Sequence, residues 1–178
     1  MKSIAVFSIA SYLIGIGDRH LENFLVDITD GEVLGIDFGI AFGSGVDLTT
    51  PELMPFRLTQ QIEGVIAPHP LEGAYKQTMV HTLRALRKHK SLILDTCDIF
   101  VKEPLLDWTK EAKKKLHQQL NEEEPTTEKN HEREMESLSF LPKQKIDKVK
   151  KKITGVNPVL ILKQELSESS HATKKYYK

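Results

Sequence analysis

Apolar residues fill the chain from Ile4 to Ile16, interrupted by Ser8, Ser11 and Gly15. That density predicts a helix over residues 3–14 packed on most of its sides. The run is too short to span a bilayer as a helix. It passes directly into Gly17-Asp-Arg-His20 with no small-residue cleavage signal, so it reads as a buried helix and not as a secretory leader. Two shorter apolar runs, Phe24–Ile28 and Glu32–Ile36, flank Thr29-Asp-Gly31 and read as the strands of a hairpin. A two-residue Asp30-Gly31 turn pairs Thr29 with Glu32 and sets Phe24 opposite Asp37. Asn23 and Asp37 then lie diagonally across the open end, roughly 7 Å apart.

From Ile40 to Pro55 the residues are rich in Gly, Ser, Thr and Pro, which predicts a long loop. Helical spacing returns over Leu58–Ile66. It is stronger over Leu71–Lys88, where Met79, Leu83 and Leu86 share one face and Arg84, Arg87 and Lys88 stay in water. Another helix is expected over Leu92–Val101, stopped by Pro104, and a polar one over Lys110–Leu120. Pro142–Thr154 sets Ile146, Val149 and Ile153 at helical spacing, with Gly155 positioned to end it. The expected architecture is α+β and mostly helical, with one small hairpin. Its divisions are a core over residues 1–108, a polar helix and disordered linker over 109–140, and a basic helix and tail over 141–178.

Composition changes this picture little. Hydrophobic residues are 39% and charged residues 28% of 178, ordinary for a soluble globular protein long enough to bury a core. The formal net charge is zero, which removes the electrostatic case for a direct nucleic-acid site. A single cysteine excludes an internal disulfide. Residues 121–139 carry many charges and almost no large apolar groups, the profile of a linker.

The chemistry gathers in the first forty residues. Asp18 can accept a proton from an incoming hydroxyl, and His20 can donate to a phosphate that is gaining charge. Asn23 and Asp37 supply the hard oxygens that magnesium prefers. Any one of these residues alone is more often a surface carboxylate, a core histidine or a turn asparagine. Together, at these spacings, they match the needs of phosphoryl transfer from ATP. A calcium-loop reading from Asp27 fails, because the glycine falls at position five and Phe38 occupies position twelve, where a glutamate is required.

Asp18-Arg-His-Leu-Glu-Asn23 with Asp37-Phe-Gly39 resembles the catalytic and metal-binding loops of the phosphatidylinositol 3-kinase superfamily. There the order is Asp-Arg-His, against the His-Arg-Asp of ordinary protein kinases. Pro51-Glu-Leu-Met-Pro-Phe-Arg-Leu-Thr59 resembles the end of the activation loop in the related protein kinases of DNA-damage signalling and growth control. The likeness is good over residues 4–108 and weak over 141–166. It implies a kinase large lobe whose hairpin carries the metal site, with Asp18 as base, His20 as transition-state stabiliser, and Asn23 with Asp37 holding magnesium for ATP. Pro51, Glu52, Pro55, Phe56 and Arg57 fall on the activation loop, towards the substrate.

Lipid kinases of the superfamily carry basic residues after Asp-Phe-Gly to meet inositol phosphates. Ile40–Pro55 contains no Lys or Arg, and contains Asp47 and Glu52, which favours a protein substrate. The resemblance further implies transfer to Ser or Thr preceding Gln, a nuclear location, and a role in double-strand break repair by end joining. It also implies a DNA-end-binding complex reached through other parts of a longer protein, and no membrane. No glycine-rich phosphate loop precedes Asp18, so the chain reads as a piece of the large lobe without its small lobe, inactive by itself. An inositol lipid kinase and a catalytically silent scaffold stay open as alternatives.

Overall fold

The N-terminal apolar run forms α1 (Lys2–Ile14), which buries Ile4, Ala5, Ser8, Ile9, Ser11 and Leu13. Buried hydroxyls usually find a partner, and that of Ser8 does. The Ser8 hydroxyl lies 2.8 Å from the Ile4 carbonyl and 2.9 Å from the Tyr75 hydroxyl. Gly15 ends the helix at φ 70°, and its N–H donates to Ser11, a left-handed cap that favours glycine. The computed structural model describes residues 1–102 and 142–168. The expected stop at Pro104, the helix over 110–120 and the linker over 121–139 lie outside those residues.

The hairpin forms, with β1 (Phe24–Val26) antiparallel to β2 (Val33–Gly35), but in a different register from the one expected. Phe24 pairs with Gly35, not Asp37, a shift of two residues. The cause lies in the turn. The Asp27 carboxylate accepts from the Thr29 amide at 2.7 Å and also bonds the Thr29 hydroxyl, while the Asp30 carboxylate accepts from the Glu32 amide at 2.8 Å. These side chains open a loop over residues 28–31, closed by Asp27 N–H donating to Glu32. Aspartates that bond their own backbone commonly override a two-residue turn. A shift of two preserves which side chains share a face.

The long loop contains a short 3₁₀ turn at Ser44–Asp47. Thr59 caps α2 (Gln60–Ile66), its hydroxyl accepting from the Ile62 amide at 3.3 Å. A π turn over Leu71–Tyr75 leads into α3 (Lys76–Lys88), with Met79, Leu83 and Leu86 partly buried and Arg84, Arg87 and Lys88 exposed, as the spacing predicts. Ile4, Ala5, Ile66 and Tyr75 form a buried cluster, flanked by Val33, Ile62 and Met79. The hairpin is thereby seated on α1.

Then come α4 (Lys90–Val101), α5 over residues 142–154, and α6 (Pro158–Glu168). Gly155 ends α5 at φ 90°, as expected. The helix α6 was not expected. Its start is written in Asn157-Pro158, where the Asn157 side chain accepts from the Val159 amide at 2.9 Å and proline opens the helix.

The chain divides into two compact units. Among the described residues, one joins 1–90 to 151–168, and the other joins 91–102 to 142–150. In the first, Arg87 Nε donates to the Ile153 carbonyl at 2.8 Å. In the second, Cys97, Val101 and Val149 are buried.

Candidate active site

Asp18 and Asp37 adopt left-handed backbone, at φ 55° and 56°. Outside glycine this conformation is uncommon and tolerated best by Asp and Asn, and it clusters at functional sites. What holds Asp18 there is a set of bonds on the two peptide units around it. The carbonyl of Gly17 accepts from Arg19 Nε at 2.8 Å, and the Asp18 N–H donates to Glu52 Oε2 at 2.9 Å. On the other side, the Asp18 carbonyl accepts from Asn23 Nδ2 at 2.7 Å. A 3₁₀ turn over Leu21–Asn23, entered through extended His20, brings Asn23 back to that carbonyl.

Arg19 joins the two functional loops. Besides Gly17, its guanidinium donates to the Ile36 carbonyl at 2.7 Å and to the Asp37 carbonyl. A planar fork with five donors suits three carbonyls, where an ammonium would not. Arg19 is 3% exposed and its guanidinium lies over the Phe38 ring, 5.6 Å from the centroid. Burial pushes its pKa below the ordinary value, while the charges of Asp37, Asp18 and Glu52 push it back up. Gly17 permits the close approach. A Cβ there would lie 2.8 Å from Glu52 Oε2 and 3.0 Å from the Gly45 Cα.

The expected site residues divide as follows. Asp18 and His20 are neighbours, with Oδ2 and Nε2 3.9 Å apart and both side chains half-exposed. Asn23 is buried. The Ile36 amide donates to the Asn23 carbonyl at 3.0 Å, so Asp37 follows the residue facing Asn23. Asn23 commits its amide nitrogen to Asp18, which leaves its oxygen for a ligand. Asp37 Oδ1 accepts from the Gly39 amide at 3.2 Å. Among the described residues no three His, Cys, Asp or Glu side chains converge as a metal cage. Glu52 bonds the catalytic loop, Pro51 and Phe56 are partly buried, Arg57 is exposed, and Pro55 lines a cleft of about 270 Å³. Sequence reasoning missed Arg19 and the Glu52 contact. For Arg19 the only signal was its place between two reactive residues.

No described helix is long and apolar enough to cross a membrane. The family described as phosphatidylinositol 3- and 4-kinase matches residues 1–110. The DNA-dependent protein kinase catalytic subunit of Dictyostelium discoideum is 47% identical over 99% of the chain, and that of Canis lupus familiaris 44% over 93%. Serine/threonine-protein kinase SMG1 of Danio rerio is 40% identical over 61% of the chain. The chain spans 4% of the length of the two former relatives and 3% of the last. A solved structure, the FAT and kinase domain of CtTel1, superposes with a TM-score of 0.65 at 27% identity, covering 96% of this chain and 11% of the other. With its two carboxylates in left-handed backbone and one arginine clasping the loops that bear them, the chain belongs to the phosphatidylinositol 3- and 4-kinase family.

Proposed function

We propose that the kinase carrying this segment transfers the γ-phosphate of ATP to serine or threonine hydroxyls of protein substrates. The observation that carries this reading is the half-exposed Asp18 carboxylate beside His20, on a backbone pinned by Arg19, Glu52 and Asn23. In it Asp18 takes the hydroxyl proton, and a carboxylate needs only to be within hydrogen-bond reach of that proton. His20 donates to the transferring phosphoryl group. Asn23 and Asp37 hold magnesium, which commonly takes one or two protein side chains and completes its shell with water and phosphate oxygens. When bound, the ion neutralises charge on the phosphates.

The substrate class rests on the loop after Asp37. Ile40–Pro55 offers no cation to an inositol phosphate, and relatives bear the names of protein kinases, SMG1 that of a serine/threonine-protein kinase. Preference for Gln after the acceptor, action on DNA breaks by end joining, nuclear location and association with a DNA-end complex belong to the same proposal. They are supported by likeness to proteins named DNA-dependent protein kinase catalytic subunit.

The test compares Ser-Gln peptides with phosphoinositide vesicles, using the full-length kinase and radiolabelled ATP. Peptide phosphorylation is expected, with vesicles silent. Asp18→Asn should lower kcat by about 10²–10⁴ while ATP affinity holds. Labelled vesicles with silent peptides would reassign the substrate to a lipid. Unchanged turnover in Asp18→Asn would remove Asp18 from the role of base.

A further inference from the structure

We propose that Glu52 is a positioning residue for phosphoryl transfer, making the backbone of Asp18 depend on the placement of the loop that follows Asp37. The proposal rests on the reading of Asp18 as base. The Gly17–Asp18 peptide unit is gripped at both edges, its oxygen by Arg19 and its N–H by Glu52 Oε2 at 2.9 Å. Arg19 lies in the same loop as Asp18 and moves with it. Glu52 is 34 residues away and arrives from another segment.

An amide oxygen at the same reach could accept this bond too, though less strongly than the carboxylate. The contact is also backed by structure on the loop side. Glu52 N–H donates to the Gly45 carbonyl at 3.0 Å, and Gly17 N–H donates to Ile40 at 2.9 Å. No side-chain room is left at Gly17, so the two segments meet backbone against backbone. Between them Ser44–Asp47 forms a short 3₁₀ turn in a largely irregular stretch.

The consequence is directional. If the loop withdraws, Glu52 leaves with it and the Asp18 amide loses its carboxylate. One edge of the peptide unit is then free, next to a residue whose left-handed backbone costs free energy to maintain. Misplacement of a reacting group by about 1 Å can lower a rate by about a hundredfold. Loop placement thus reaches the base through the Glu52 hydrogen bond, by a route that needs no contact between the loop and ATP.

Three variants of the full-length kinase separate acceptor geometry from charge and from loop folding. Glu52→Gln keeps an oxygen at the same reach. Glu52→Asp keeps the charge but is one methylene short, and Glu52→Ala has neither. Peptide phosphorylation should give kcat within about tenfold of the parent for Glu52→Gln and about a hundredfold lower for the other two. KM for ATP and the melting temperature should stay near the parent's in all three. Parent-like kcat in Glu52→Ala overturns the proposal. So does the reverse order, with Glu52→Asp active and Glu52→Gln silent, since charge and not reach would then matter. Should Glu52→Ala fail to fold, the comparison of Gln with Asp carries the same decision. Asp18→Asn assayed alongside keeps the two ideas apart: if it is silent while Glu52→Ala is active, only the role of Glu52 falls.

Discussion

Asp18 and Asp37 combine a negative charge with a backbone conformation that few side chains accept. Any residue with a Cβ is crowded by its carbonyl there, and Asp and Asn offset part of that cost by bonding nearby backbone, as the Asp37 carboxylate does with the Gly39 amide, whereas alanine has no such offset. Two substitutions at Asp37 therefore separate that offset from charge. Both variants lose the charge that faces buried Arg19, so the comparison is between them: Asp37→Ala should be less stable than Asp37→Asn by about 0.5–1.5 kcal/mol, the worth of one hydrogen bond. Both should lose magnesium-supported turnover, because neither retains the carboxylate. Equal stability of the two variants, read by urea denaturation, would show that side-chain bonding offsets none of the strain at 37. The residue types of the site were legible in the sequence, since Asp-Arg-His, Asn23 and Asp-Phe-Gly stand at fixed spacings. The clasp by Arg19 was not. Its three acceptors are backbone carbonyls at 17, 36 and 37, and which carbonyls face a buried guanidinium is settled only by the fold.

At the scale of elements, the helices and the hairpin follow from periodicity, because each buries a face whose spacing matches its own repeat. Register does not follow in the same way. It depended on Asp27 and Asp30 bonding backbone amides within the turn, local chemistry that competes with a tight Asp-Gly turn. The α6 helix was missed for a related reason, since its start depends on Asn157 capping a backbone amide and no element is predicted after Gly155. The hairpin's seat on α1 yields a test. A Cβ at Gly35 would lie 2.2 Å from the Phe7 ring, which itself packs edge-on against Phe24 with centroids 5.4 Å apart. Gly35→Ala should thus destabilise by about 1–3 kcal/mol, as overpacking does. Adding Phe7→Leu should return part of that loss, because the smaller side chain vacates the clash. Thermal melting of the two singles and the double would show it. Additive losses, with no recovery in the double, would mean that Phe7 is not the obstacle.

At the scale of the molecule, the site depends on residues distant in the chain. Lys152, on α5, and Glu165, on α6, form a buried pair at 3.4 Å. Around them lie the loops next to Asp18 and Asp37. A Cβ at Gly43 would fall 2.6 Å from Glu165 Oε1, one at Gly15 would fall 3.1 Å from Lys152 Nζ, and the Gly43 amide donates to Gly15 at 3.1 Å. Lys152 also lies over the Tyr12 ring. Burial raises the pKa of the Tyr12 hydroxyl, and Glu165 raises it further. Nothing in the lysine-rich pattern of residues 142–154 identified Lys152 as buried, because helical spacing alone does not say which cations leave water. Breaking a buried pair by removing one member costs about 3–5 kcal/mol, whereas replacing both by apolar residues is often neutral. Glu165→Ala should therefore destabilise strongly, and Lys152→Met with Glu165→Leu should recover most of the loss. Hydrogen exchange adds a spatial reading. In Glu165→Ala, amides over residues 13–18 and 40–46 should exchange faster, while those of the hairpin at 24–35, seated on α1, should keep their protection. Parent-like stability and exchange in Glu165→Ala would show that the catalytic loops hold their places without the C-terminal helices. Faster exchange confined to the two loop segments would tie the placement of Asp18 to an ion pair more than 130 residues further along the chain.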